Sequence, residues 1–336
     1  MRNSAAIVIL NWNGEEHLRR FLPSVVEHTP EWVDVVVADN GSTDGSLAIL
    51  ESEFKSVKVV ALGRNYGFAE GYNQALRLID YQYYILLNSD VEVTKGWCEP
   101  LIEELSQNPD VGAVSPKILS VTEPSKFEYA GASGGYIDIL GYPFCRGRIV
   151  KHIESDEGQY NDARDLFWVS GAAFGCRAEI FRQMGGFDGD MFAHMEEIDM
   201  CWRMQLMGFR VRVLPQSVVY HLGGGTLTVD SPRKVYLNHR NNLAMLYKCA
   251  PTSQRLLVAV VRPILDFLTA LSYLAGGRPQ NFWALFKAYG TFIKWHPMLN
   301  RKRKEWRTKA TTESQHIYKG SIILRYLLGL RRFTDI

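Results

Sequence analysis

Runs of consecutive apolar residues, many of them β-branched, alternate with segments of helical periodicity through the first part of the chain. The apolar runs predict buried strands at Ala5–Leu10, Val33–Ala38, Val57–Leu62 and Tyr83–Leu87. The segments between them predict helices at Glu15–Glu27, Ser46–Glu53 and Ala69–Ile79. Strands that are apolar at nearly every position are typical of parallel sheets with helices on both faces. The pattern therefore predicts an α/β fold with a mostly parallel, near-Rossmann sheet flanked by helices.

The pattern loosens between residues 120 and 165, where glycines, aromatic residues and polar residues are mixed. We interpret this stretch as an irregular insertion of hairpins and loops. Regular patterns then return and predict a strand at Leu166–Cys176, helices at Ala178–Met184 and Glu196–Met207, and short strands at Val211–Leu214 and Val218–Tyr220. Helical patterns dominate after residue 240. The sequence thus predicts an α/β domain over residues 1–240 and a helical, basic region over residues 241–336.

Part of that helical region is apolar enough to be considered as a membrane-spanning or membrane-associated segment. Residues 255–274 are nearly all apolar but include Arg262, Pro263 and Asp266. A membrane span prefers about 20 uninterrupted apolar residues, and a central charge costs about 3 kcal/mol. We therefore expect a helical hairpin or an interfacial segment, with residues 255–336 at an anionic membrane surface. The Trp-containing stretch Arg301–Lys309 would then contact headgroups; an equally weighted alternative is a solvated basic tail.

Composition describes an ordinary globular protein, with 46% hydrophobic and 22% charged residues. The five cysteines are odd in number and form no Cys-x-x-Cys pair. They therefore indicate neither a disulfide framework nor a structural zinc site, and they favour a reducing compartment. The apolar run at Ala5–Leu10 is shorter than the core of a signal peptide. We expect a cytoplasmic location, with a peripheral position at the inner face of the cell membrane as a further option.

The net charge of +2 conceals an asymmetry. Residues 301–336 carry ten Lys and Arg residues against three acidic residues, a net +7, which leaves −5 for the rest of the chain. A basic tail on a mildly acidic body indicates a partner that bears phosphates. The tail lacks the interleaved aromatic residues that favour nucleic acid, so we do not expect nucleic-acid binding.

Polar residues follow each of the four first predicted strands at its carboxyl end. These tails are Asn11–Gly14, Asp39–Gly45, Gly63–Gly71 and Asn88–Asp90. In an open parallel sheet the carboxyl ends share one rim, and ligands bind there. A turn or a helix cap explains any single tail, but it is a weak explanation for four that converge. No Gly-x-Gly-x-x-Gly or Walker loop follows the first strand, so dinucleotide and P-loop functions lose support.

Three residues are candidates for donor or metal contacts. Asp39 directly follows a strand, where it is suited to accept hydrogen bonds from a base or a ribose. Asp90 is suited to Mg²⁺ or Mn²⁺, which take one or two protein carboxylates and complete their shell with water and phosphate oxygens. His221, between a strand and a glycine loop, is a candidate second metal ligand. A turn, core or surface role is the alternative for each.

Three carboxylates occupy the first turn of the helix predicted at Glu196–Met207. Acidic residues are common there because they complement the helix dipole. Glu196 and Asp199 share a stripe with Arg203, with which they can pair. Glu197 instead lies on an apolar stripe, where desolvation would raise its pKa toward general-base use and the helix N-terminus would lower it.

Six segments, none sufficient alone, together carry a resemblance to a known family. They are VVVADNGSTDGS, GRNYGFAEGYNQAL, YYILLNSDVEV, FWVSGAAFGCRAEIFRQMGGFD, EEIDMCWR and YHLGGGT. From Ala5 to about Lys248 the chain resembles the family-two inverting glycosyltransferases of the GT-A fold, close to the bacterial rhamnosyltransferase-like branch. The resemblance implies a GT-A fold with a C-terminal helical extension. The Gln-x-x-Arg-Trp signature of processive synthases is absent from the sequence, which disfavours polymer-extruding enzymes.

The resemblance also implies roles for the matching residues. Asp39 would contact the base of a nucleotide-diphosphate sugar, and Asp90 and His221 would hold a divalent metal, Mg²⁺ or Mn²⁺. Glu197 would accept the proton of the acceptor hydroxyl as the sugar is displaced with inversion. The donor pocket would include residues from the strand ends and the third tail, namely Asn11, Asn65, Gly67, Gly71, Asn73 and Asn88.

Two departures from the family pattern matter. The segment Asn88–Asp90 lacks the first carboxylate of the usual Asp-x-Asp motif, so metal affinity is expected to be weaker. Glu196 and Glu197 stand where the family has Glu-Asp, which leaves open which of the two carboxylates is the base.

The acceptor would be a saccharide or a lipid-linked saccharide in cell-surface polysaccharide or glycolipid assembly. We assign part of the acceptor side to Arg146, Arg148, Trp168 and Gly171; structural surface arginines are the alternative. Two other functions stay open. One is a sugar-phosphate nucleotidylyltransferase, although the Gly-rich, Arg-containing loop expected after the first strand is missing. The other is a non-catalytic module that binds nucleotide sugars or glycans.

Overall fold

A computed structural model gives the fold of residues 4–223 and 231–336. The strands in these ranges are β1 (Ala5–Asn11), β2 (Val33–Asp39), β3 (Lys58–Ala61), β4 (Tyr83–Asn88), β5 (Val91–Val93), β6 (Val111–Ser120), β7 (Gly135–Asp138), β8 (Pro143–Cys145), β9 (Arg148–Ile149), β10 (His152–Ile153), β11 (Arg164–Asp165), β12 (Ala173–Arg177), β13 (Arg210–His221) and β14 (Ile317–Tyr318). The α-helices are α1 (Glu15–His28), α2 (Ser46–Glu53), α3 (Gly67–Arg77), α4 (Glu99–Gln107), α5 (Ala178–Gln183), α6 (Glu196–Leu206), α7 (Pro232–Cys249), α8 (Thr252–Ala275), α9 (Pro279–Lys309) and α10 (Ile322–Leu327).

The main sheet of the described residues has the order β11-β13-β6-β12-β4-β1-β2-β3, with β5 paired to β13. The block β3-β2-β1-β4 is parallel throughout. β12 lies antiparallel between β4 and β6, so the sheet beyond β4 is mixed. The predicted α/β class is confirmed, and the parallel order holds for the strands whose carboxyl ends form the rim.

Both faces of this sheet are buried, as the continuous apolar runs predicted. Along β1, Ala6 and Val8 belong to one hydrophobic core, whereas Ala5, Ile7 and Ile9 belong to the core on the opposite face. Because successive side chains of a strand point to opposite faces, a strand apolar at every position has to be covered on both.

The strand predicted at Leu166–Cys176 is mostly wrong, since only Ala173–Arg177 is a strand. Ser170 accounts for the difference, because its hydroxyl donates to the Ala130 carbonyl at 2.9 Å and accepts from the Ala172 N–H. Local side-chain bonds of this kind replace the ladder bonds of a strand. The sequence patterns also missed β5, α4 and β6 between residues 91 and 120.

The two short strands predicted at Val211–Leu214 and Val218–Tyr220 are one strand, β13. Its register against β6 shifts between Leu214 and Val218. Pro215 lies in that interval and has no N–H for the ladder, which explains why the sequence suggested a break.

The insertion at residues 120–165 is more regular than predicted. Its strands form a second sheet in the order β10-β9-β8-β7-β14. The edge strand β14 comes from the C-terminal region and runs parallel to β7. β14 lies about 180 residues after β7 in sequence, so no local pattern predicts that it belongs to this sheet.

The helical C-terminal region differs from expectation in one respect. The interrupted segment at residues 255–274 does not form a hairpin; it is the single helix α8, which passes through Pro263 without ending. α7 runs unbroken across residues 240 and 241, and the division of the chain there stays a prediction.

One side of the basic stretch Arg301–Lys309 packs against the body, while Arg301, Lys304 and Lys309 are exposed, so its contact with headgroups stays a prediction. Trp306 is 7% exposed, and the Arg203 guanidinium lies 5.1 Å from its ring centroid. Lys302 pairs with Asp188 at 2.5 Å. These contacts fasten the end of α9 to the α/β body.

Candidate functional site

The carboxyl ends of β1 and β2 place two predicted residues in contact at the rim. The Asn11 side chain donates to Asp39 Oδ1 at 3.3 Å, and the Ser42 N–H donates to Asp39 Oδ2 at 3.0 Å. Asp39 is 2% exposed. Asn11 Oδ1 is buried without a hydrogen-bond partner, so the rim keeps an unsatisfied acceptor that a ligand donor would satisfy.

The loop before α3 is held against this rim by Asn40. Its amide donates to Asn65 Oδ1 at 3.3 Å and to the Gly67 carbonyl at 3.0 Å, and its oxygen accepts from the Tyr66 N–H. Gly67 has φ of +80°, and a side chain there would collide with the ring of Phe192 at 2.5 Å. The third tail and the segment before α6 therefore approach each other through a position that only glycine fits.

Gly71 and Asn73 lie one and two turns into α3 with different surroundings. A side chain at Gly71 would meet Leu10 at 2.8 Å, so this glycine allows α3 to approach β1 closely. The Asn73 amide donates to Glu70 and to the Phe187 carbonyl, both at 2.9 Å, and its oxygen accepts from the Phe187 N–H. Asn73 thus holds the turn at Phe187 through one donor and its oxygen, while its other donor stays within α3.

Asp90 and His221 are in direct contact. His221 Nε2 lies 3.1 Å from Asp90 Oδ1 and 3.4 Å from the Asn88 amide. The antiparallel pairing of β5 with β13 places His221 opposite Val91, next to Asp90 in the chain. Burial raises the pKa of Asp90, but the hydrogen bond and charge of His221 outweigh burial and hold that pKa below its usual range. Residues 224–226 of the predicted glycine loop lie outside the described residues.

Glu128 is a third member of this group that the sequence analysis missed. Its Oε2 lies 3.5 Å from His221 Nδ1, on the side of the ring opposite to Asp90, and it is 6% exposed. Burial alone would lower the pKa of His221, yet contacts with Asp90 and Glu128 raise it to about 10. No motif or spacing marks Glu128 in the sequence, because its partner lies 93 positions further along the chain.

The donor set of this group fits a hard divalent cation. A carboxylate and an imidazole nitrogen face each other, and the second ring nitrogen faces another carboxylate, an arrangement that orients metal-bound histidines. Among residues 4–223 and 231–336, no three or more His, Cys, Asp or Glu residues are arranged to hold one metal ion, since Glu128 lies on the far side of the His221 ring. Asp90 and His221 would therefore hold an ion that takes its other ligands from diphosphate oxygens and water.

The paired glutamates begin α6 after a left-handed turn. Met195, the residue that precedes the helix, has φ of +72°. Burial raises the pKa of Glu197 to about 7 although backbone N–H groups oppose the shift. Burial together with the charges of Glu197 and Asp199 raises the pKa of Glu196 well above its usual value. Glu196 is 4% exposed, whereas Glu197 is partly accessible, and Oε2 of each has no hydrogen-bond partner.

Glu197 is linked to the Asp90 group through one short segment. A side chain at Gly171 would be in ordinary contact with Glu197, 3.7 Å from its Cβ. The next residue, Ala172, accepts a hydrogen bond from the Asn88 N–H at 3.0 Å. The segment Gly171–Ala172 therefore lies between Glu197 and the strand end that carries Asn88.

The two arginines assigned to the acceptor side diverge. Arg148 donates to Cys145 Sγ at 3.4 Å, and the charges of Glu128 and Glu197 both act on that thiol, so Arg148 lies toward the site. Arg146 pairs instead with Asp162 and lines a separate cavity of about 500 Å³ between the second sheet and the C-terminal segment.

Trp168 is buried and donates its indole N–H to the Tyr136 carbonyl at 2.9 Å. Its backbone also bridges to Gly135, where any side chain would collide with the indole at 1.9 Å. Trp168 therefore ties the segment that carries Gly171 to β7 of the second sheet.

Comparison with known proteins matches this chain to one family. The model of glycosyl transferase family 2 matches residues 6–185, more than half of the chain. An N-acetylglucosaminyl-diphospho-decaprenol L-rhamnosyltransferase of Mycobacterium tuberculosis is 26% identical over 264 residues. That alignment covers 73% of this chain and 85% of the relative.

Solved structures with a similar fold are also glycosyltransferases. TarS 1–349 of S. aureus in complex with UDP-GlcNAc has a TM-score of 0.56 at 17% identity, covering 91% of this chain and 89% of TarS 1–349. The mannosyltransferase PcManGT of Pyrobaculum calidifontis, with GDP-Man and Mn²⁺, has a TM-score of 0.53 at 14% identity and covers 92% of this chain and 84% of its own. At these identities the likeness establishes the fold.

Proposed function

The chain belongs to glycosyltransferase family 2, and from this premise we propose that it transfers a sugar from a nucleotide-diphosphate donor to an acceptor hydroxyl by metal-assisted direct displacement with inversion. The family and GT-A fold predicted from the motifs are confirmed, and the chain is a glycosyltransferase. The alternatives of a nucleotidylyltransferase and of a non-catalytic binding module find no support among the relatives.

The donor occupies the rim in this proposal. Asp39 accepts from the nucleotide base, and the unpaired Asn11 Oδ1 accepts a donor from the same ligand. Asn65 and Gly67 shape the pocket, while Gly71 allows α3 to approach the strand ends. Asn73 supports the pocket from behind, since its amide is bonded to the turn at Phe187.

Asp90 and His221 would hold the divalent metal, Mg²⁺ or Mn²⁺, with Asn88 beside them. The bound metal would supply Lewis-acid neutralisation of the charge that develops on the diphosphate. The Mn²⁺ bound to PcManGT together with its donor supports this choice of ion. The other ligands of the ion would come from the diphosphate and from water.

The single observation that carries the mechanism is the environment of Glu197. Its pKa is about 7, and one of its carboxylate oxygens has no hydrogen-bond partner. It lies beside Gly171, and the next residue, Ala172, accepts the hydrogen bond from Asn88. A base that titrates near the working pH removes a proton most effectively. Glu196 is more deeply buried, so we assign the base to Glu197 and give Glu196 a supporting role.

The reaction then balances in one step. The acceptor oxygen forms a bond to the anomeric carbon while the bond from that carbon to the diphosphate oxygen breaks, and the nucleoside diphosphate leaves with the bonding electron pair. Glu197 takes the acceptor proton as the new bond forms. One displacement inverts the configuration and needs no enzyme nucleophile. Holding both substrates in line supplies much of the rate.

The acceptor side is proposed at Gly171 and Arg148, which lie toward Glu197. Trp168 positions the segment that carries Gly171, and Arg146 contributes only through the second sheet. The decaprenol-linked substrate named in the M. tuberculosis relative supports a lipid-linked saccharide acceptor, in polysaccharide or glycolipid assembly at the cytoplasmic face of the membrane.

Thermal-shift screening of a panel of nucleotide sugars with Mn²⁺ identifies the donor, and transfer assays with Glu197→Gln then test the base. We expect Glu197→Gln to lose about 100-fold or more in kcat while donor binding is unchanged. Glu196→Gln is the matched control and should retain most of the activity. Full turnover by Glu197→Gln, or release of pyrophosphate in place of a nucleoside diphosphate, would contradict the proposal.

A further inference from the structure

An exposed apolar face extends along α8. The most apolar part of this helix has a mean hydropathy of 1.7, and only 22% of it is buried in the described structure. The exposed large apolar side chains are Leu256, Leu257, Val260, Ile264, Phe267, Leu268, Leu271 and Leu274. They recur at intervals of three and four residues, so they form one continuous stripe. An apolar surface of this extent marks an interaction site.

The opposite face of α8 is fastened to the body by polar contacts. Arg262 donates to the Leu140 carbonyl at 2.8 Å and pairs with Asp266 at 3.3 Å, and Asp266 also accepts from Tyr289. Arg262 and Asp266 are 2% and 1% exposed. A helix held along one face in this way presents only the other face to a partner, which fits an interfacial position and not a span.

The apolar face continues onto α9 through aromatic contacts. The Phe267 and Phe286 ring centroids lie 6.5 Å apart, and those of Phe286 and Trp283 lie 6.1 Å apart. Trp283 is 66% exposed. Lys287 and Lys294 follow on the same exposed stripe of α9 at helical spacing. The combined surface of α8 and α9 thus presents aliphatic, aromatic and basic side chains together.

The charge of this surface favours an anionic partner. Between residues 251 and 304 the sequence has nine Lys and Arg residues and one carboxylate, Asp266. Asp266 pairs with the buried Arg262, and Lys302 pairs with Asp188, so seven basic residues of this range remain without these pairings. A symmetric contact between two copies would bring two basic faces together, which like-charge repulsion disfavours. We propose that the α8–α9 face docks on an anionic lipid bilayer, with Trp283 and Phe267 at the interface and the lysines on the headgroups.

Flotation of the full-length protein with vesicles tests this proposal. We expect binding to vesicles of phosphatidylcholine with phosphatidylglycerol and little binding to phosphatidylcholine alone. The double variant Lys287→Glu/Lys294→Glu should bind anionic vesicles at least about 10-fold more weakly, since each basic residue near the surface contributes to binding. The matched control Lys55→Glu/Lys95→Glu alters two exposed lysines of the α/β domain and should bind normally.

The apolar contribution is tested by Phe267→Ser/Trp283→Ser, with the exposed Leu78→Ser as its control. We expect loss of vesicle binding with an unchanged melting temperature. Equal binding by all variants, extraction resistance typical of an integral span, or a dimer that these substitutions dissociate in lipid-free sedimentation would each overturn the proposal. None of these outcomes depends on the sugar-transfer reaction.

A second inference concerns the backbone that precedes α6. Phe192, His194 and Met195 have φ of +66°, +69° and +72°, a left-handed conformation that costs free energy outside glycine. The amide of Asn241 on α7 donates to the carbonyls of this segment, at 2.9 Å to Met191, 2.9 Å to Ala193 and 2.7 Å to His194. Asn241 is fully buried.

Arg240 adds a second contact to the same segment. It donates to the Met191 carbonyl at 2.8 Å, and its Nε donates to Asn241 Oδ1 at 2.8 Å. Because this strained turn leads directly into α6, its conformation fixes the direction of the Glu197 side chain in the first turn of the helix. We infer, resting on the proposed function, that Asn241 and Arg240 are positioning residues that hold the Glu197 carboxylate in place.

Asn241→Asp tests the inference because it keeps the side-chain shape and turns donors into acceptors. We expect a fall in kcat of about 10-fold or more, a shifted acidic limb of the pH profile and an unchanged donor Kd. Asn242→Asp is the matched control: Asn242 is 4% exposed on the same helix, donates to Gly141 and accepts from Arg262, away from the segment. Arg240→Lys should give a milder form of the same shift and guards against misfolding of Asn241→Asp.

If Glu197→Gln is inactive but Asn241→Asp and Asn242→Asp have identical pH profiles, this inference is overturned and the proposed base stands. Full activity of Glu197→Gln would instead remove the proposed base, so the two failures are distinguishable.

Discussion

Glu197 combines two features that ordinarily exclude each other. It occupies the first turn of a helix, where backbone N–H groups stabilise a carboxylate, yet its pKa is raised to about 7 by burial. Gly171 lies beside the Glu197 side chain, and one carboxylate oxygen of Glu197 has no hydrogen-bond partner. In the proposed reaction this unpaired oxygen accepts the proton of the acceptor hydroxyl.

The catalytic efficiency should therefore increase with pH. Glu197 accepts a proton only when it is ionised, so kcat/KM should rise with pH through about 7 and fall about 10-fold per unit below it. A pH–rate profile at saturating Mn²⁺ measures this limb. An unshifted limb near the ordinary glutamate pKa of about 4.3 would show that Glu197 does not control the rate.

In the proposed metal site, Glu128 would act on the ion through His221. Its carboxylate lies 3.5 Å from Nδ1, while Nε2 lies 3.1 Å from Asp90. Glu128→Gln should weaken Mn²⁺ binding about 10- to 100-fold, the usual effect of losing such a partner, with little change in stability. Isothermal titration with Mn²⁺ measures it, and the exposed Glu123→Gln in the same segment is the control. Equal Mn²⁺ affinity in both variants would assign Glu128 a purely structural role.

At the scale of elements, a buried charge network joins α6, α7 and the turn before them. Lys248 on α7 lies 2.6 Å from Asp188 and 2.7 Å from Asp199, and Arg203 also pairs with Asp199. The charges of Lys248 and Lys302 hold the pKa of Asp188 far below its usual range despite burial. This lowered pKa contributes stability at neutral pH that is lost as the pH falls below about 4.

Lys248→Met should destabilise the protein by about 3 kcal/mol, because it leaves buried carboxylates with fewer partners. Urea unfolding at pH 7 measures the free energy of unfolding. Lys309→Met removes an exposed pair with Glu305 and should change it by less than about 0.5 kcal/mol. Similar small losses for both variants would mean that the network carries little stability.

Elements set by local pattern were predictable, and those set by distant partners were not. Ser46–Glu53 is a helix with the predicted ends, and the four apolar runs are strands at the predicted positions. β14 has only two residues and no hydrophobic pattern that predicts a strand. It forms because its backbone pairs with the free edge of β7. α8 continues through Pro263 because Arg262 and Asp266 anchor it on either side, which local propensity does not reveal.

At the scale of the whole molecule, the rim was predictable because parallel strands bring their carboxyl ends to one edge. Asn11 and Asp39 are in contact there, and the family resemblance implies that His221 and Asp90 belong to the same site. Glu128, by contrast, comes from the insertion and enters the site only through the tertiary fold. Arg146 and Arg148, two residues apart in sequence, would share a face of an extended strand. They face different regions because the chain turns between β8 and β9, where Gly147 has φ of +102°.

Binding of Mn²⁺ with the nucleoside diphosphate of the identified donor, measured by electron paramagnetic resonance, tests most directly that Asp90, His221 and Glu197 serve one activated-sugar site in different roles. Asp90→Asn and His221→Gln should each lose the bound Mn²⁺ signal, whereas Glu197→Gln should keep it and still fail to transfer the sugar. A full Mn²⁺ signal in Asp90→Asn and His221→Gln would contradict the assignment.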